Sequence, residues 1–89
     1  MTAMKRFRVE VILGEDDGRT YAEALLHTEL GDDLVGTGGA KLNPHDHDVP
    51  EIGDEIAVGR ALNDLGHQLL TTAEADLEQV TNEPARLAY

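Results

Sequence analysis

The 89-residue chain contains no cysteine, no serine and no tryptophan. Without thiols, disulfides, thiolate nucleophiles, zinc ribbons and iron–sulfur ligation are excluded. The lack of serine limits hydroxyl nucleophiles to Thr and Tyr, which removes every Ser or Cys triad and makes covalent hydrolysis a poor fit. Aromatic residues are scarce, with a single Phe and two Tyr, so Leu, Val, Ile and Ala must build the interior. Positive charge is scarce too: seven Lys and Arg stand against 18 Asp and Glu, for a formal net charge of −11. That field opposes general binding to duplex nucleic acid or to an anionic membrane. No segment approaches the roughly 20 apolar residues of a membrane span, and the opening MTAMKRFRVEV has no apolar run of signal-peptide length. The expectation is a cytoplasmic, soluble protein with residues 1–89 forming one domain, near the size at which a single core folds alone.

What is present is a change of period along the chain. From Arg6 to Leu13 the residues alternate, with Phe7, Val9, Val11 and Leu13 on one face and Arg6, Arg8, Glu10 and Ile12 on the other, the pattern of a half-buried strand. GEDDG, Gly14 to Gly18, carries turn chemistry. RTYAEALLHTEL has the propensity for a helix but is short, follows a tight turn and lacks a clean 3.6 period, so it is predicted as a second strand. A third, LVGTGGAKL, follows the turn at Gly31 to Asp33 and completes a meander. Its Gly36 and Gly38 share a face with Ala40, where missing side chains let a helix come close. A phosphate-loop reading of GTGGAKL fails because the Gly-Lys-Ser/Thr ending is absent.

Downstream, Ile52, Ile56, Gly59, Leu62, Leu65, Leu69, Ala73, Leu77 and Val80 recur at three- and four-residue steps, predicting an amphipathic helix to about Val80. Thr71 and Glu74 have capping-box spacing, which predicts a break near Leu70. The expected fold class is therefore α+β, a three-stranded antiparallel meander followed by a long helix in two pieces. Pro84 ends the helical part, and Leu87 and Tyr89 could dock the tail.

The loop NPHDHDVPEIGDE sets His45 and His47 beside Asp46 and Asp48, a ligand set suited to zinc, nickel or copper. A metal site needs further ligands at fixed spacing, and the chain has none like His-Glu-x-x-His. Asp48 and Glu51 instead have capping-box spacing, with Pro50 in the first turn and Asp54 and Glu55 complementing the positive end of the helix dipole. The loop is read as a helix entrance; a metal held by His45 and His47 is the alternative, and no cofactor is expected.

Asn43-Pro44, Val49-Pro50-Glu51-Ile52-Gly53-Asp54-Glu55, Arg60-Ala61-Leu62 and Pro84-Ala85-Arg86-Leu87 carry a resemblance to the small bacterial proteins of domain-of-unknown-function family 1876. The resemblance spans the chain. It implies a fold like double-stranded-RNA-binding domains, a homodimer and a suggested likeness to ribosome hibernation factors, with no established activity. Fold likeness does not license function, and a helix that begins with acid is unsuited to generic duplex RNA.

Two surfaces emerge from strand parity. Arg6, Arg8, Arg19 and Lys41 fall on the sheet face away from the helix, a candidate partner-binding face for a ribosomal or other protein partner. Ile12, Tyr21, Leu25 and Val35 share that face, an apolar patch suited to a homodimer interface. The functional expectation is a non-enzymatic, homodimeric regulatory or interaction module, possible as a ribosome-associated factor, against a metal-binding protein or metal-dependent enzyme built on His45 and His47.

Overall fold

The structure is a computed structural model and describes residues 3–28, 33–41 and 50–88. Its elements are β1 (Arg8–Asp16), β2 (Arg19–His27), β3 (Leu34–Lys41) and α1 (Pro50–Thr81). The strands form one antiparallel sheet in the order β1-β2-β3, so the fold class is α+β as the sequence predicts.

The first hairpin is tighter than the GEDDG segment suggests. β1 continues to Asp16 and β2 starts at Arg19, leaving only Asp17 and Gly18 in the loop, at φ 50° and 74°. Two consecutive positive φ values at Asp-Gly mark the two-residue turn whose twist matches that of the flanking strands.

On the covered face of the sheet lie Ala22, Ala24 and Leu26 of β2, with Gly36 and Gly38 of β3 beside them. Against them α1 seats Ala57, Ala61 and Leu65, with Val58 and Leu69 partly buried at the margin. The glycines are required here: a Cβ on Gly36 would sit 2.7 Å from Leu65 Cβ, and one on Gly38 would sit 2.7 Å from Arg60 Cβ, besides striking the helix backbone. Close approach over missing side chains is the arrangement expected from the sequence.

That approach keeps Leu65 and Leu69 of the predicted helix stripe against the sheet and corrects the rest. Ile52, Ile56, Leu62, Leu77 and Val80 are exposed, while the seat is made of Ala57, Ala61 and Leu65. Backbone-to-backbone proximity admits only small groups at the centre of contact, so large aliphatics are displaced to the flanks. The predicted break near Leu70 is also corrected, because α1 is one 32-residue helix. Thr72 Oγ1 donates back to Gln68 O at 2.9 Å, a bond that lets a threonine sit inside a helix.

The helix ends by an αL cap. Asn82 has φ 59° and donates its N–H to Glu78 O at 2.7 Å. The tail then turns back, with Ala85 N donating to Glu78 Oε1 at 2.9 Å and Leu87 N to Glu74 Oε2 at 3.2 Å. Leu87 is half-buried, as the tail-docking expectation requires, whereas Tyr89 lies outside the described residues.

Candidate functional site: two unequal sheet edges

α1 packs on β3 and β2 and scarcely touches β1. Phe7, Val9, Val11 and Leu13, expected from parity to be buried by the helix, are instead exposed, Phe7 at 68%. Their face was read correctly: Val9, Val11 and Leu13 stand opposite Leu26, Ala24 and Ala22 of the core row. The helix, drawn to the glycines of β3, lies too far across the sheet to cover them.

The same displacement seals the opposite edge. Thr37 N donates to Asp64 Oδ2 at 2.8 Å, Arg60 Nη1 donates to Gly39 O at 2.6 Å, and Gln68 Nε2 donates to Val35 O at 2.7 Å. Arg60, Asp64 and Gln68 recur every four residues, so one helix face bonds the outward backbone groups of β3. Gln68 Nε2 also reaches Asp64 Oδ2 at 3.2 Å, linking the row. An edge strand with Val35 O, Thr37 N and Gly39 O already bonded to side chains is a poorer template for another strand.

Strand alternation fixes the state of β1. Since Val35, Thr37 and Gly39 aim their backbone groups outward, Gly36, Gly38 and Ala40 bond Ala24, Ala22 and Thr20 of β2. The intervening Tyr21, Glu23 and Leu25 then bond β1 at Gly14, Ile12 and Glu10. Val9, Val11 and Leu13 are left with outward N–H and C=O groups beside apolar side chains. No side chain caps this edge among the described residues.

The sequence-derived surfaces are placed differently from one another. Ile12, Tyr21, Leu25 and Val35 lie on the uncovered face; Leu25 stands directly opposite Val35, and Ile12 pairs with Glu23, between Tyr21 and Leu25. Arg8, Arg19 and Lys41 share that face, but Arg8 pairs with His27 at one end and Arg19 with Lys41 at the other. Eight residues of β2 separate the ends, about 26 Å, and Arg6 precedes β1. The four basic residues therefore form no single cluster. At the Arg19 end, Arg19, Tyr21, Lys41 and Arg60 border one shallow depression. His27 Nδ1 lies 3.3 Å from Asp33 Oδ2 at the far end.

His45 and His47 fall outside the described residues, together with Asp48 of the expected capping box; α1 does begin at Pro50. Among the described residues no group of three His, Cys, Asp or Glu could hold a metal ion, and no helix is long and apolar enough to cross a membrane.

A family model described as Rv2632c-like matches residues 5–86. The uncharacterized protein Mb1767 of Mycobacterium bovis is 46% identical over 86 residues, 97% of this chain and 90% of that protein. The uncharacterized protein Rv2632c of Mycobacterium tuberculosis is 42% identical over 80 residues, 90% of this chain and 85% of that one. The crystal structure of Rv2632c superposes with a TM-score of 0.84 at 41% identity, covering 93% of this chain and 98% of that chain. These matches correct the resemblance to domain-of-unknown-function family 1876: the family model that fits is Rv2632c-like.

Proposed function

Given that this chain belongs to the Rv2632c-like family, we propose that it is a non-enzymatic interaction module that works as a homodimer through the β1 side of its sheet. The observation that carries this reading is the inequality of the two edges: β3 is capped by Arg60, Asp64 and Gln68, whereas β1 is exposed at every position and apolar at Val9, Val11, Ile12 and Leu13. Long, uncapped, apolar edge strands invite pairing unless something covers them. Self-association is the commonest cover for a small domain.

Ribosome association draws less support, since the basic residues of the uncovered face separate to its two ends. Duplex RNA fits poorly as well, with Glu51, Asp54 and Glu55 crowding the first turns of α1.

Sedimentation equilibrium tests the reading. The wild-type chain is expected to sediment as a dimer, and Val11→Lys, which places a charge on the open edge, as a folded monomer by circular dichroism. A wild-type chain that stays monomeric at high micromolar concentration refutes the proposal.

A further inference from the structure

β1 carries a charge asymmetry of its own. Lys5 and Arg6 precede it and Arg8 opens it, Glu10 follows two residues on, and Glu15 and Asp16 close it. Parallel pairing of two copies would set like charges side by side. Antiparallel pairing can set Arg8 of each copy beside Glu10 of the other.

From this we propose that two copies join edge to edge through antiparallel β1 strands, with Val9 opposite Val9 of the second copy, into one continuous six-stranded sheet. The proposal rests on the homodimer reading and adds its geometry. Only registers that oppose odd residues to odd residues bring the outward N–H and C=O groups of Val9, Val11 and Leu13 into bonding position. Among two-fold registers, centring on Glu10 opposes two carboxylates, which is destabilising. Centring on Val11 sets Phe7 against Glu15 and Glu10 against Ile12, and its Lys5–Asp17 pair falls in the hairpin turn; centring on Ile12 sets Val9 against Glu15 and Phe7 against Asp17 of that turn. Centring on Val9 sets Arg8 against Glu10 twice over and Phe7 against Val11, an aromatic and β-branched pair of the favourable kind. Pairing would then extend over residues 5–13, using the exposed Phe7 that the protomer leaves bare.

A chain without cysteine makes the register directly readable. In a hydrogen-bonded antiparallel pair the facing Cα atoms lie about 5.5 Å apart, within the disulfide range of about 4.4–6.8 Å. In the Val9-centred register the two Val11 Cα atoms lie about 13 Å apart. Single variants Val9→Cys, Val11→Cys and Leu13→Cys, oxidised in glutathione buffer, should therefore differ. Val9→Cys is expected to form the covalent dimer at least about tenfold faster than the others. Arg8→Glu and Glu10→Arg should each weaken dimerisation several-fold, and the double variant should recover it.

Fastest cross-linking at Val11 or Leu13 overturns the register. A wild-type dimer in which none of the three cross-links overturns the proposed Val9-centred pairing while leaving the homodimer reading intact. A wild-type monomer in sedimentation removes both.

Discussion

Gly36 and Gly38 decide how near the helix comes, and they do so by having no Cβ. Gly36→Ala or Gly38→Ala forces α1 off the sheet and should cost about 2–4 kcal/mol, read as a lowered urea midpoint, because overpacking against backbone has no flexible group to yield. Gly59 is the control: it is exposed in the helix interior and an added Cβ meets nothing within 4 Å. Gly59→Ala should stabilise the protein by about 0.5–1 kcal/mol. The sequence announced this contact, since glycines at alternate positions of an otherwise regular strand have few other uses. Of the helix residues that meet them, Leu65 lies on the legible stripe and Ala57 and Ala61 do not, because a stripe is traced through Ile and Leu while backbone proximity selects Ala.

The elements divide their labour unevenly. α1 at 32 residues runs about 48 Å, whereas the eight residues of β3 span about 26 Å, so the last turns pass beyond the sheet. Leu77 and Val80 are accordingly exposed there. Amides of residues 74–81 should exchange with deuterium well ahead of those in 57–69, since only the latter are held by core packing; equal protection would mean that something else covers the overhang. Across the other side of α1, the row of Arg60, Asp64 and Gln68 guards β3. Replacing all three by Ala should lower stability by about 1–3 kcal/mol and open a second edge, visible in sedimentation as species larger than those of the wild-type chain. An unchanged size distribution would show that the side chains are dispensable as edge guards. Strand existence, strand order and helix extent were legible from period and turn chemistry. The guard row was not, because three polar residues at helical spacing read equally well as a solvated face.

At the scale of the molecule, an elongated body of 53 × 32 × 23 Å has its helix drawn to one side of its sheet. The opposite side is apolar and unguarded, and among the described residues few large side chains are buried: Leu26 is the largest of them that is fully buried. Much of the apolar surface that would stabilise the protein if covered is left exposed. If two copies supply that cover, thermal stability follows mass action. The midpoint of the wild-type chain should then rise by several degrees over a hundredfold increase in concentration, while that of Val11→Lys stays flat. A concentration-independent midpoint in both would place the cover elsewhere.

Some features follow from residue order alone. The missing Cys and Ser exclude whole classes of chemistry, alternation makes the strands, Asp17-Gly18 makes the hairpin, and Gly36 with Gly38 marks where a helix must lie. These are local rules, decided by backbone sterics and by which side a residue faces. Which residues become wet or dry was decided by tertiary structure. Val9, Val11 and Leu13 are on the core side of the sheet and yet uncovered, because the helix that closes down on the glycines of β3 is centred there, and β1 lies two strand spacings, about 9.6 Å, to the side. Parity assigns a face; only the position of the helix determines whether anything lies over it.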